Sequence, residues 1–261
     1  MGTAIAAIFD LDKTILATSS TMTMHGPLRR AGLLSRSDTA RSILSQIPYL
    51  VWGEGEKRND RIKTELGRIA RGWNLATLNQ TIIAATKASM HPQCYVDALD
   101  TIAFHKAVGH RIVVASASPQ PLVEPIANLL EADFTLATQV GVEDGKLTGE
   151  VADFNHGRLK AAAVSRLADK QGWDLEQCWA YSDSISDLPL LELVGHPVAV
   201  NPDRALRHIA TERDWRIRHF TRTLKLQPSR IALPIMGVVS TNIAVAAITW
   251  LACRHVWCHR S

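Results

Sequence analysis

Two aspartates one residue apart, Asp10 and Asp12, close the apolar run Ala4-Ile5-Ala6-Ala7-Ile8-Phe9 near the start of a 261-residue chain. Carboxylates this close repel, and the pair is comfortable only where a cation lies between them or one carries a proton. On a loop leaving a strand, the arrangement suits Asp10 as a metal-held nucleophile and Asp12 as the general acid and base beside it. A lone Asp-x-Asp is also an ordinary solvated turn. Later residues change that balance. Asp183 and Asp187 follow the apolar run 178–182 and stand four apart, a set of oxygen ligands that suits a hard cation such as Mg²⁺. Ser116 ends the run 111–116, where its hydroxyl and the following amides suit a phosphate near a helix N-terminus. Lys160 precedes Ala161, Ala162 and Ala163 as an isolated cation suited to neutralising phosphate charge. Taken singly, Ser116 reads equally well as a helix cap and Lys160 as a surface charge.

These residues need elements to hold them. Five short apolar runs, 4–9, 111–116, 134–140, 178–182 and 197–200, read as strands buried on both faces. Helical stretches at 96–108, 120–130, 158–170 and 187–194 alternate with them, which predicts an α/β fold with a Rossmann-like parallel sheet. Residues 135–140 and 146–151 flank Glu143-Asp144-Gly145 and predict a hairpin hung on that sheet. Residues 18–94 break the rhythm. They hold helical segments, including 39–52 and 57–71, and no convincing strand, as a helical insert or a long crossover would. The expected organisation is a core at 1–17 and 95–222, a helical cap at 18–94, a linker at 223–230, an apolar span at 231–253 and a tail at 254–261.

Composition narrows the class of protein. Hydrophobic residues make up 46% and charged residues 21%, a globular balance that excludes wholesale disorder. The net charge of +4 is concentrated: residues 201–230 hold eight Lys and Arg against three acids. No aromatic stacking pattern accompanies that cluster, so nucleic acid is not the expected partner. Cys94, Cys178, Cys253 and Cys258 form no Cys-x-x-Cys pair, which argues against a structural zinc site and for a reducing, cytoplasmic setting without a secretory signal.

Residues 231–253 carry 23 residues without a charge. As a helix they would extend ~34 Å, enough to cross a hydrocarbon core of roughly 30 Å. Arg230 and Lys225 flank one end, Arg254 and Arg260 the other, and Trp250 and Trp257 suit an interface. Ser240, Thr241, Asn242 and Thr249 weaken the apolar run, and a buried core helix is the alternative. The expectation is a single C-terminal transmembrane helix with the catalytic domain at the inner face of the membrane, where basic residues meet anionic headgroups.

In this order the residues resemble the haloacid dehalogenase superfamily of aspartyl-phosphate phosphatases. Its four motifs are matched by Asp10-Leu11-Asp12-Lys13-Thr14, by Ser116 after Ile112-Val113-Val114-Ala115, by Lys160, and by Asp183 with Asp187. The match covers about residues 4–220, and the helical insert corresponds to that superfamily's C1-type cap. Ser116-Ala117-Ser118-Pro119, Ala180-Tyr181-Ser182-Asp183-Ser184 and Gly195-His196-Pro197-Val198 resemble the phosphoserine phosphatase-like branch, subfamily IB. The resemblance implies that Asp10 attacks phosphorus while Asp12 protonates the leaving oxygen and then activates water. It further implies Mg²⁺ held by the Asp10 carboxylate, the Asp12 carbonyl, Asp183 and Asp187, with Thr14 steadying the loop and Ser116 and Lys160 binding phosphate oxygens.

Substrate choice is where the resemblance departs from its family. Phosphoserine enzymes of this branch place a glutamate nine residues after the nucleophile to pair with the substrate ammonium; here that position is Ser19. A hydroxyl does not replace a carboxylate facing a buried ammonium group. Arg61, Arg68 and Arg71 offer alternative contacts for a substrate carboxylate, or simply a solvated helix face. The function expected is a Mg²⁺-dependent phosphomonoester hydrolase acting on a small phosphorylated metabolite. Its alternatives are a membrane-anchored phosphatase of lysophosphatidate or phosphatidylglycerophosphate and, in another class, a tethered regulatory protein with little turnover.

Overall fold

In the computed structural model the described residues are 4–35, 64 and 67–224, all within the unit Met1–Lys225. Strand β1 (Ala6–Phe9) is buried on both faces because its side chains alternate between two cores. Ala7 and Phe9 enter one core, Ala6 and Ile8 the other. Strand β1 pairs parallel with β2 (Arg111–Pro119) on one side and with β5 (Trp179–Ser182) on the other. With β3 (Phe134–Glu143), β4 (Lys146–Asp153), β6 (His196–Val200) and β7 (Arg216–Arg218), the sheet runs β4-β3-β2-β1-β5-β6-β7. Every pairing is parallel except β3 with β4, as the alternation of strands and helices predicts.

Helices cover both faces. Helices α1 (Ser20–Arg30), α2 (Leu75–Ala85), α3 (Val96–Ala107) and α4 (Gln120–Leu129) send Met24, Ile82, Ile102 and Ile126 into the core that holds Phe9. Helices α5 (Arg158–Gln171), α6 (Leu188–Leu191) and α7 (Arg204–Glu212) send Val164, Leu190 and Leu206 into the other. The hairpin turns at Asp144 and Gly145, whose φ angles of 48° and 71° are the left-handed pair that a two-residue Asp-Gly turn requires. Its tip is stitched to the residues before α2: Leu75 N–H donates to the Gly145 carbonyl, and Gly72 and Trp73 exchange hydrogen bonds with Leu147.

Three differences from the sequence reading have physical causes. Strand β2 runs on to Pro119, because Pro119 still pairs with Thr138 of β3 across a register shift. Strand β7 escaped notice because Arg-Ile-Arg carries no apolar run; its backbone alone extends the sheet beside β6. Helix α7 lies in the basic stretch, yet it is amphipathic, with Leu206 and Ala210 buried and its arginines outward. Of the expected cap helices, 39–52 lies outside the described residues, and of 57–71 the described positions 64 and 67–70 are helical. The apolar run 231–253 also lies outside them; among the described residues no helix is long and apolar enough to cross a membrane.

Candidate active site

Strand order reverses at β1. The chain leaves β1 to build β2, β3 and β4 on one side and returns to place β5 on the other. A crevice at the carboxyl ends of the strands is where open α/β sheets bind ligands. Asp10 lies at that point, its N–H donating to the Tyr181 carbonyl of β5 at 2.9 Å. Lys13, at φ 60°, turns the chain sharply, and Ile15 and Leu16 N–H both return to the Leu11 carbonyl.

The floor of this crevice is a buried ion cluster. The Lys160 ammonium, reaching in from the first turn of α5, donates to Asp10 Oδ1 at 2.9 Å and to Asp187 Oδ2 at 2.8 Å. Ser182, the last residue of β5, donates to the same Asp187 oxygen at 2.7 Å. Asp187 Oδ1 is buried with no hydrogen-bond partner. Lys160 is thus neither a surface charge nor a free cation; two carboxylates already engage it, and their charges hold its pKa above the ordinary lysine value against the effect of burial.

Asp12 faces the other way. Its Oδ1 accepts the Ser20 N–H at 2.7 Å, and its Oδ2 accepts the Ser118 hydroxyl at 3.2 Å. The Ser20 and Ser118 hydroxyls meet at 3.0 Å. Helix α1 therefore begins on the Asp12 carboxylate, since the Ser19 side chain makes no capping hydrogen bond. A negative group at this helix start is favoured by the exposed N–H groups there.

Ser116 is inside β2 and does not lie next to a helix N-terminus, because α4 begins only at Gln120. Its hydroxyl accepts the Ser118 N–H at 3.1 Å, and its carbonyl accepts from Asn155 Nδ2 at 3.0 Å. Asp183 follows β5, and its carbonyl accepts the Asp203 N–H at 2.8 Å. The Asp203 carboxylate in turn holds Ile185 N–H at 2.9 Å and Leu206 N–H at 2.8 Å, tying the Asp183–Asp187 turn to the start of α7. Thr14 is fully buried, with no partner for its hydroxyl.

Burial dominates the proton affinities. It pushes Asp10 up to about 7 despite the opposing pull of Lys160, with Asp187 and Asp12 adding repulsion. It pushes Asp183 up to about 8, helped by the charges of Asp10 and Asp187. Asp12 also rises through burial, opposed by its hydrogen bonds to Ser20 and Ser118. Three mutually repelling carboxylates above one lysine, with an orphaned Asp187 oxygen among them, have the chemistry of a partial cation site. Among the described residues no three acidic, His or Cys side chains close into a complete metal cage.

The structure therefore joins Asp10, Lys160 and Asp187 by direct contact, brings Asp183 within electrostatic range of them, and sets Asp12 apart on its own hydrogen bonds. Ser20, Ser118, Ser182, Asn155 and Asp203 carry no role in the sequence reading. Ser118 and Ser182 stand inside the motifs quoted for the resemblance, so a signal was present; Asn155 offered none, since only the fold brings it to Ser116.

Fold and site together define an α/β protein with a cluster of carboxylates at the ends of its central strands. A family model described as haloacid dehalogenase-like hydrolase matches residues 7–192. The chain is 43% identical over 240 residues to a Mycobacterium tuberculosis protein named a probable phosphatase, spanning 92% of this chain and 83% of that one. It is 32% identical over 257 residues to the Mycobacterium tuberculosis phosphoserine phosphatase SerB1, spanning 95% and 80%. Among solved structures, a protein of unknown function from Bordetella pertussis Tohama I aligns with a TM-score of 0.71 at 26% identity, covering 83% of this chain and 99% of that one. The chain belongs to the haloacid dehalogenase-like hydrolase family, and the relatives it is similar to include proteins named as phosphatases.

Proposed function

We propose that this protein hydrolyses phosphate monoesters through an aspartyl-phosphate on Asp10, with Mg²⁺ as its cofactor. The observation that carries the reading is the division of labour between two carboxylates on one loop. Asp10 is held by the Lys160 ammonium at 2.9 Å, whereas Asp12 is held apart by Ser20 and Ser118. In the first step an Asp10 oxygen bonds to phosphorus and the ester P–O bond breaks, while the Asp12 carboxyl gives its proton to the departing oxygen. In the second, the Asp12 carboxylate takes a proton from water, whose oxygen displaces Asp10 and releases inorganic phosphate.

Asp10, the Asp12 carbonyl, Asp183 and Asp187 would hold the metal, in keeping with the orphaned Asp187 oxygen. When bound, Mg²⁺ supplies positive charge that lets an anionic carboxylate approach an anionic phosphate. Lys160 and Ser116 would contact phosphate oxygens, and Thr14 would steady the loop from its buried position. Residues 18–94 would act as the cap. Its first helix is tied to Asp12 through Ser20, so cap position and acid-base chemistry would be coupled. The retained set of Asp10, Asp12, Lys160, Asp183 and Asp187 favours turnover over a purely regulatory role.

Phosphorylated metabolites are the general substrate class. One relative is named a phosphoserine phosphatase, but here Ser19 stands where an ammonium-pairing glutamate would. The run 231–253 would anchor the enzyme to the membrane, which its 23 uncharged residues and flanking Arg and Lys support.

Phosphate release by the purified full-length chain tests the chemistry. Asp10→Asn is expected to abolish turnover with circular dichroism unchanged, and chelation of wild type to abolish it until Mg²⁺ is restored. Activity surviving in pure Asp10→Asn removes Asp10 as nucleophile. For the anchor, membrane-fraction residence is expected to disappear on truncation after Pro228; a full-length chain that stays in the aqueous fraction rejects it.

A further inference from the structure

Next to Asp12 the cleft opens into a chamber of about 150 Å³. Its walls come from α1, α2 and the β3–β4 hairpin, with Met24, Leu28, Leu78, Ile82, Val140 and Leu147 turned toward the space. Thr21, Ala117 and Pro119 also line it. These are the chain neighbours of Ser20 and Ser118, the two residues that hold both Asp12 oxygens. The chamber thus adjoins the two residues that hold Asp12, the group that would protonate the leaving oxygen of a phosphate monoester.

Among the described residues the walls carry almost no charge. Among the described lining residues only His25 and Glu150 titrate, Glu150 is exposed, and no Lys or Arg lines the space. Burial lowers the pKa of His25 and so favours its neutral form. Of the candidates for a substrate carboxylate, Arg68 and Arg71 are exposed and lie outside the lining, and Arg61 lies outside the described residues. A leaving group bearing both an ammonium and a carboxylate would lose its hydration here against walls that give little back. An alkyl chain would gain from the same burial.

We propose, resting on the phosphomonoesterase reading above, that this chamber receives the alcohol half of the substrate and that the alcohol is apolar: the substrate is a phosphate monoester with an alkyl chain, of the kind a single-chain lipid phosphate presents. Two further features favour that occupant over a soluble metabolite. The run 231–253 is long enough to hold the enzyme at a bilayer, and eight Lys and Arg in residues 201–230 suit a surface of anionic headgroups.

The test uses the full-length chain in phosphatidylcholine nanodiscs with Mg²⁺. Phosphate release is measured for methyl through octyl phosphate and for phosphoserine, and calorimetry measures binding of the matching non-hydrolysable alkylphosphonates. Both are repeated with Ala70→Phe, which projects a ring from the chamber wall. In wild type, kcat/KM is expected to rise about two- to fourfold per methylene until the chamber is full. Phosphonate affinity is expected to rise in parallel, and Ala70→Phe to flatten both series. Partitioning into the nanodisc is common to the two proteins, so their difference reports the chamber. Turnover that is flat with chain length, or highest on phosphoserine, overturns the chamber assignment and leaves the hydrolase reading standing. No turnover of any ester, with phosphonate affinity still climbing and still flattened by Ala70→Phe, overturns the hydrolase reading and keeps the chamber. Silence in both measurements overturns the two together.

Discussion

The floor and the side wall of one cleft are built on opposite physical terms. On the floor, Asp10, Lys160 and Asp187 are almost withdrawn from water and survive there because each charge meets its counterpart within 2.9 Å. Along the wall, α1, α2 and the β3–β4 hairpin present alkyl side chains, and what holds them is buried area. Charges on the floor are fixed by strand ends and one helix turn, so their geometry tolerates little change. Walls made of apolar area accept changes in shape at modest cost, as volume-conserving core substitutions do. A family that keeps its chemistry while changing its substrates needs this pairing: a rigid electrostatic floor and a wall that can be re-cut.

The sharpest way to break the contrast is to remove the shared cation. Lys160→Met leaves two buried carboxylates facing one another and is expected to cost about 3–5 kcal/mol of stability, read from the shift in urea midpoint. Lys106→Met breaks the pair with Glu131, which is 85% exposed, and is expected to cost at most about 1 kcal/mol. Equal effects would mean that Lys160 is not sustaining the floor.

The wall is tested at a point where backbone meets backbone. Gly149 has φ +81°, and a Cβ there would stand 2.5 Å from the Gly67 carbonyl oxygen. Gly149→Ala is expected to lose about 1–3 kcal/mol in the same urea measurement. A neutral outcome would show that the hairpin and the residues around Gly67 can part without loss.

A third, smaller effect sharpens the comparison by showing how the fold treats a buried titratable group that has no countercharge. His105 is buried under β5, its ring joined to the Tyr181 hydroxyl at 2.8 Å and to His110 at 2.8 Å. Burial, and next the neighbouring His110, pushes its pKa down to about 4, below the unfolded value. Between about pH 4 and 6.5 the unfolded chain therefore binds more protons than the folded one. The stability His105 contributes is fully present above pH 6.5 and is lost as pH falls toward 4. Acid titration of stability is expected to lose about 1–2 kcal/mol of its slope over this window in His105→Gln. An unchanged profile would mean that His105 titrates normally in the folded protein.

Much of this arrangement was legible without coordinates, for reasons that are local. The strand runs were readable because parallel strands are apolar on both faces, as Ala6–Phe9 is. The hairpin was readable because Asp144-Gly145 supplies the left-handed pair its turn demands. Asp10, Asp12, Asp183 and Asp187 stood out because acids directly after such runs fall at strand ends. Strand β7 was hidden because a three-residue edge strand needs only backbone partners, and α7 because its arginines outweigh its two buried residues in a composition count.

By itself, the order of residues determined the parallel α/β fold, the loops that carry the acids and the family those acids define, since each follows from periodicity and short-range spacing. Only the tertiary structure decided how the acids divide. Lys160, 150 positions from Asp10, is drawn to it and to Asp187. Ser118, 106 positions from Asp12, holds the second carboxylate apart. The same packing laid two helices against the strands of the β3–β4 hairpin to form the described walls of the chamber. Such contacts depend on which strand ends the sheet order makes adjacent, and spacing along the chain carries no record of that.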